Sequence, residues 1–295
     1  MHPVRYRFTC LAALAFVLTS AAASAQTRPL TDAEMEAFLR KARVVATKPI
    51  GIGVTKSVRA TLTDGTRTHD AHIQVVDIYK PQFVSDKGTE FNFRDTWRYN
   101  VAAYRLDRML DLRMVPVSVE RRWNGTPAAF TWWVDDVMMD ERKRLEKQMR
   151  APNIGCWTQH AQTLRMFDAL IENTDRNLGN TLISNTWRIW AIDHTRAFRR
   201  SPRPPDVADL TAIDRRVFER LAALDLPSLR KEIGRWVDDS ELRKVLSRRD
   251  ALLEHYRALG ERALIDRVDP AAGCHVLHHN AENGETGGAD SKGGR

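Results

Sequence analysis

Residues 167–198 read FDALIENTDRNLGNTLISNTWRIWAIDHTRAF, and three of them, Asp175, Asn180 and Asp193, can bind a metal or handle a proton. Four residues separate Asp175 from Asn180. Asn180 is followed by two short β-type runs, 181–184 and 187–192, with the polar pair Asn185-Thr186 as the turn between them. A hairpin brings its ends side by side, so Asn180 before the first strand and Asp193 after the second become neighbours. One amide oxygen and one carboxylate suit a hard cation, which keeps its other positions for water and phosphate oxygens. Asp175, on the loop ahead of the hairpin, is free to face a hydroxyl nucleophile. Asp and Asn are also ordinary turn residues, and a D-x-x-x-x-N spacing alone recurs by chance. The context singles it out: an apolar helix before it, a hairpin after it, and a second Asp at the hairpin's end.

The segments TDRNLGN (174–180) and AIDHTRAF (191–198) resemble the catalytic and metal-binding segments of atypical kinases. The likeness is to phosphatidylinositol 3-/4-kinases, to HipA-type toxin kinases, and to the secretory-pathway kinases that phosphorylate proteins or proteoglycan xylose. These families carry an Asp-Arg-His or Asp-Arg-Asn loop and an Ile-Asp-(Asn/His)-(Gly/Thr) segment. The stretch RYNVAAYRLDRMLDLRMVPVSVER (98–121) resembles the small-lobe helix and following strand of the secretory-pathway kinases. The resemblance implies a bilobal α+β fold, with a β-rich small lobe and a helical large lobe. It implies Asp175 as catalytic residue, Asn180 and Asp193 as ligands of Mg²⁺ or Mn²⁺, and ATP as the phosphoryl donor. His194, Arg196 and Phe198 stand where these families keep a short polar-then-apolar continuation.

Ahead of this stretch, Thr31-Asp32-Ala33-Glu34 is a capping-box signature opening a helix with Met35, Phe38 and Leu39 on its apolar side. Strands are predicted at 44–46, 58–62 and 72–79, with a glycine turn around Gly51 and Gly53 and a turn at Asp64-Gly65. The two glycines would let the backbone approach phosphate, although Gly-x-Gly also serves as a simple turn. A helix is predicted over 92–112, with Asn92 or Asp95 as its cap. Kinases keep a Lys on the third strand and a Glu on this helix, and the pattern places Gln74 and Asn100 there instead. Losing one charge would strand the other, whereas two amides can hydrogen-bond each other. Lys80 shares the strand parity of Gln74 and is a replacement cation, with Glu90 as replacement acid. At a strand rise of ~3.3 Å per residue Lys80 lies ~20 Å along, so the strand must bend for it to serve. Lys56 is a second candidate.

Asn124-Gly125 marks a hairpin between 115–122 and 127–134. Trp132, Trp133 and Val134 then run into Asp135-Asp136, a hinge between lobes where an adenine could lie, although core tryptophans are commoner. A charged helix at 140–150, a helix at 157–173 that delivers the catalytic loop, and helices at 210–224, 228–236 and 239–264 complete the large lobe.

The first 25 residues read as a cleaved secretory signal: Arg5 and Arg7, an apolar run over 8–18, and Ala23-Ser24-Ala25 before Gln26. The expected organisation is signal peptide 1–25, small lobe with N-terminal helix 26–137, helical lobe 138–272 and a Gly- and Asn-rich tail 273–295. No transmembrane segment is expected after cleavage. The formal charge of +8 falls to +6 without the signal, and the charges are scattered, which argues against a nucleic-acid surface. The dense cluster Arg196, Arg199, Arg200, Arg203 could meet an acidic substrate or be a solvated loop. Cys156 and Cys274 remain after cleavage and, paired, would tie the tail to the catalytic lobe. Cys274 and the histidines after it lack a second half at zinc-site spacing. The predicted activity is phosphoryl transfer from ATP to a hydroxyl of a protein, lipid or sugar. The alternatives are nucleotidyl transfer from an inverted ATP, or an exported pseudokinase that binds nucleotide or protein without transfer.

Overall fold

The computed structural model describes residues 28–50, 57–85, 88–173, 175–204, 207–266 and 273–274. The chain up to Thr31 separates from a compact unit that begins at Asp32. Within it a β-rich lobe precedes a helical lobe, the α+β architecture expected from the sequence.

The unit opens with α1 (Asp32–Lys41), which buries Phe38 and Leu39 as the helical spacing predicts. Five strands form an antiparallel sheet: β1 (Arg43–Pro49), β2 (Val58–Thr63), β3 (Thr68–Gln74), β6 (Ser118–Trp123) and β7 (Thr126–Trp132). Their spatial order is β1-β2-β3-β7-β6. Asp64 closes the β2–β3 turn by accepting from the backbone N–H groups of Thr66 at 2.9 Å and Arg67 at 2.7 Å. Asn124 and Gly125 both have positive φ, 48° and 81°, which matches the twist of the β6–β7 hairpin.

Between β3 and the next helix the chain departs from expectation. The strand predicted over 72–79 breaks after Gln74, and a separate hairpin follows: β4 (Asp77–Ser85) and β5 (Gly88–Thr96). The helix predicted over 92–112 is shortened to α2 (Arg98–Met109), because residues 92–96 pair with β4 instead. The break is fixed from outside the hairpin. Trp97 N donates to Val76 O at 2.7 Å, and Thr96 N donates to Thr195 O at 2.9 Å. Asn92 and Asp95 are therefore strand residues, not caps. Periodicity misled here because Phe93 and Trp97, both buried, suit either a strand end or a helix face.

The helical lobe begins with β8 (Val137–Asp140) and a short α3 (Glu141–Glu146) in place of the longer helix predicted at 140–150. Next come α4 (Ile154–Ile171), β9 (Thr181–Ser184) and β10 (Ile189–Ala191), with the sheet order β10-β9-β8. Asn153 caps α4 by accepting from Cys156 N at 3.0 Å, so the helix starts earlier than its apolar stripe suggests. Leu164, Phe167, Leu170 and Ile171 are all buried, each worth about 1.5–3 kcal/mol. Beyond the site lie β11 (Ile213–Asp214), α5 (Arg215–Ala223), α6 (Leu226–Ile233), α7 (Asp239–Leu259) and β12 (Leu264–Ile265). Asp225 and Asp238 open α6 and α7 with capping boxes.

Cys156 and Cys274 form a disulfide across 118 residues. The approach depends on Gly273, whose φ is 70° and whose Cα lies so close to Thr186 that a Cβ would sit 2.2 Å from its carbonyl oxygen. Among the described residues no helix is long and apolar enough to cross a membrane.

Candidate active site

The loop carrying Asp175 leaves α4 through Glu172, whose φ of 47° is left-handed. A residue with a Cβ disfavours that conformation. Glu172 is held in it by its contacts: its carboxylate accepts from Ser201 N at 3.2 Å and from Arg248 at 3.1 Å. Arg248 is fully buried and also donates to Leu170 O at 2.8 Å and Arg199 O at 2.9 Å.

Arg176 organises the loop itself. Its Nε and Nη2 grip Asp168 in a bidentate pair, 2.9 Å each. Nη1 donates to Asn180 O at 2.9 Å and to Ile192 O at 2.7 Å, and Nη2 donates to His194 Nε2 at 2.9 Å. One guanidinium thus joins the end of α4, the start of β9 and the end of β10. Burial, and then the charge of Arg176, push the His194 pKa well below the ordinary histidine value. The ring is neutral, as its acceptor role toward Arg176 requires.

Ile192 N donates to Asn180 O at 3.0 Å, so the hairpin ends are neighbours. Asp193 follows at a left-handed φ of 54°, with its carboxylate accepting from Thr195 Oγ1 at 3.2 Å. Such a residue stores strain of roughly 1–3 kcal/mol, which the surrounding contacts must offset. Asn177 N donates to Asp175 O at 2.8 Å, which turns the loop so that Asp175 stands ahead of Asn180.

Gln74 and Asn100 are both buried and meet side chain to side chain: Asn100 Nδ2 donates to Gln74 Oε1 at 2.5 Å. The other end of the Asn100 amide accepts the backbone N–H of His194 at 2.8 Å. The helix residue therefore reaches through to the segment carrying Asp193. A neutral pair occupies this position, and both amides are used.

A cavity of about 430 Å³ lies between the lobes, lined by Gln74 and Asn100 above, Asn180 and Asp193 at one end, and Trp132, Trp133 and Val134 at the hinge. Leu182, Ala191 and Ile192 give it an apolar floor. His69 stacks on Trp132 at 3.7 Å between centroids and bonds Asp135 at 2.6 Å, which stiffens the hinge.

Other candidates lie elsewhere. Lys80 is exposed on β4 and its Nζ sits 4.9 Å from the Phe83 ring centroid, away from the residues that line the cavity. Lys80 does not share the strand of Gln74, because β3 ends at Gln74 and β4 begins at Asp77. Glu90, on β5, pairs with Arg196 at 3.6 Å and with Arg199, and not with a lysine. Gly51, Gly53 and Lys56 lie outside the described residues.

Two residues escaped the sequence reading. Asp95 stands at the end of β5 beside Thr195, and its Oδ1 is buried with no hydrogen-bond partner among the described residues. Burial first, then the charges of Asp193 and Asp175, push its carboxyl pKa up, against opposing contributions from Thr195 and Arg196. Only the hairpin pairing, invisible in the sequence, brings it here. His72 lines the roof of the cavity; burial lowers its pKa, with the charge of Asp193 opposing. Its parity with Gln74 was the available signal.

No protein-family model and no curated protein sequence matches the chain. Solved structures do match in shape. One is hydra Fam20 with sugar, with TM-score 0.61 and 13% identity over 79% of this chain and 92% of that one. Another is the Golgi casein kinase with Mn/ADP bound, with TM-score 0.54 and 14% identity over 78% of this chain and 76% of that one. These neighbours establish a kinase-like fold. The resemblance to phosphatidylinositol kinases and HipA-type kinases rests on the sequence segments alone.

Proposed function

We propose that this chain is a divalent-metal- and ATP-dependent phosphotransferase that moves a phosphoryl group onto a hydroxyl of a protein, lipid or sugar. The observation that carries the reading is that Asn180 and Asp193 together line one end of the interlobe cavity, with Asp175 on the loop just before Asn180, whose side-chain amide donates to the Asp175 carbonyl at 3.5 Å. The donor set fits a hard cation: an amide oxygen and a carboxylate, with the unpartnered buried oxygen of Asp95 nearby. Asn180 and Asp193 would hold Mg²⁺ or Mn²⁺. When bound, the metal neutralises charge across the nucleotide phosphates. The neighbour described with Mn/ADP and the one described with sugar support nucleotide and hydroxyl chemistry in this fold.

The chain's own residues then have defined tasks. Asp175 orients the acceptor hydroxyl and takes its proton as oxygen bonds to the γ-phosphorus and the bond to ADP breaks. Arg176 holds the loop carrying Asp175 against the backbone of Asn180 and Ile192. Asn100 fixes the His194 N–H, and so the turn on which Asp193 stands. The apolar floor and the hinge tryptophans exclude water around the base. The predicted secretory signal lies outside the described residues; the Cys156–Cys274 disulfide supports export to an oxidising compartment.

A second reading, a nucleotide-binding pseudokinase, is favoured by the neutral Gln74–Asn100 pair. One experiment separates them. The protein is incubated with Mg²⁺ or Mn²⁺ and ATP labelled on the γ- or the α-phosphate, beside Asp175→Ala and Asp193→Ala. Transfer of γ-label to an acceptor or water, lost in both variants, is expected. Transfer of α-label would mean nucleotidyl transfer. Nucleotide binding without transfer of either label would establish the pseudokinase.

A further inference from the structure

The neutral Gln74–Asn100 pair leaves the cleft without its usual cation, and the fold must supply positive charge from elsewhere if it is to hold a triphosphate. Several cations near the site are already engaged or remote. Arg176 spends its donors on Asp168, Asn180 O, Ile192 O and His194. Arg59 is bound to Asp70 at 2.5 Å and lies over Trp133 at the hinge. Lys80 is exposed on the hairpin. Arg199 is paired with Glu90, and burial lowers its pKa to about 10.

Arg196 differs from these. It follows Asp193 by three residues. Its Nη1 lies 3.6 Å from Asp175 Oδ2 and its Nη2 3.6 Å from Glu90 Oε2. Both separations exceed the 2.7–2.9 Å of a charge-assisted hydrogen bond. The guanidinium makes no hydrogen bond among the described residues, and its Nε is buried without a partner. Its orientation is nevertheless fixed. Its Cζ lies over the Phe93 ring, 4.9 Å from the centroid, and Phe93 is itself buried against Phe83 at 4.3 Å. Arg199 lies over the same ring at 5.4 Å, and its Nε donates to the Arg196 carbonyl at 2.9 Å. An oriented guanidinium with its fork of donors unspent is a receptor for planar or tetrahedral oxyanions.

Its place decides which oxyanion. If Asp175 takes the proton of the attacking hydroxyl, the transferring phosphorus lies next to that carboxylate, and Arg196 lies next to it as well. We propose that Arg196 binds the terminal phosphate of the nucleotide, with Glu90 and Phe93 as its support. This assignment rests on the phosphotransferase reading above. The charge pair that kinases keep between strand and helix is thereby moved to the β4–β5 hairpin and the segment after Asp193. The hairpin becomes part of the site: it carries Glu90 and Phe93, and it is anchored by the Thr96 N to Thr195 O bond. A cation at this point also offsets charge on the phosphoryl oxygens during transfer.

The test is titration calorimetry of the whole protein with Mg²⁺ and ATP, ADP or AMP. Arg196→Gln is expected to weaken ATP at least tenfold while ADP stays within twofold, because only ATP carries the terminal phosphate. Arg196→Lys, which keeps the charge without the fork, should fall between Arg196→Gln and the unmodified protein. Glu90→Gln should weaken ATP more than ADP. Equal losses for ATP and ADP in Arg196→Lys and Arg196→Gln, or no loss for either, would overturn the assignment while leaving the phosphotransferase reading intact. If the unmodified protein binds none of the three nucleotides, the phosphotransferase reading fails first and takes the assignment with it.

Discussion

Replacing Asn100 by leucine tests whether helix α2 holds the segment carrying Asp193 through an amide rather than a charge. The Asn100 side chain makes two buried hydrogen bonds, at 2.5 Å to Gln74 Oε1 and at 2.8 Å from His194 N. Asn100→Leu takes the Asn100 bond away from the buried Gln74 Oε1 and from the buried His194 N–H, at about 1–3 kcal/mol each, so about 2–6 kcal/mol in all before the gain from apolar burial. Gln74→Leu strands the Asn100 Nδ2 group. In the double variant the amide pair is gone from both sides, and only the His194 N–H stays unpaired. The double variant should therefore be more stable than the sum of the single losses predicts, by up to the two amide penalties together, about 2–6 kcal/mol. Urea unfolding followed by tryptophan fluorescence measures all four corners of the cycle. Additivity within about 0.5 kcal/mol would refute the pairing. A companion cycle, Gln74→Lys with Asn100→Glu, should show each single change costing about 3–5 kcal/mol and the pair recovering part of it.

Three further outcomes follow from the same geometry. His194 and His72 have folded pKa values below the unfolded value of about 6.5. Above that pH neither state binds the proton; below it the unfolded chain binds first, so stability falls as pH drops, by up to about 1.4 kcal/mol per unit for each histidine. Metal-free His194→Gln should show a shallower slope below pH 6.5 in urea titrations. Arg176→Met leaves the half-buried Asp168 carboxylate without its bidentate partner and should cost about 3 kcal/mol, read as a lower urea midpoint. Cys156→Ser/Cys274→Ser opens a loop of 118 residues, for which the chain-entropy estimate is about 4.7 kcal/mol, measurable as the difference in unfolding free energy.

The neighbourhood of the segment proposed as catalytic was legible because its information is local. Asp175, Asn180 and Asp193 sit on one loop and one hairpin, and hairpin geometry alone makes the last two neighbours. The amides at 74 and 100 were legible as a pair for a chemical reason: two neutral side chains can satisfy each other where one charge could not. The helix that delivers the loop was readable from its apolar period; it starts three residues earlier than predicted, since Asn153 caps it from outside the stripe, and ends two residues sooner, at Ile171.

What the tertiary structure decided was everything that depends on which strand pairs with which. Residues 88–96 carry no signal that they would rather face β4 than extend a helix, and that choice moved Asp95 and Glu90 to the site and left Lys80 on an exposed strand. The bond from Thr96 N to Thr195 O, linking residues far apart in sequence, is what secures it. The meeting of Cys156 with Cys274 likewise needed the close approach of Gly273 to Thr186. Local chemistry writes itself into spacing and residue type. Long-range pairing is settled only when the whole chain competes for the same hydrogen bonds and the same buried surface, and a linear pattern does not record that competition.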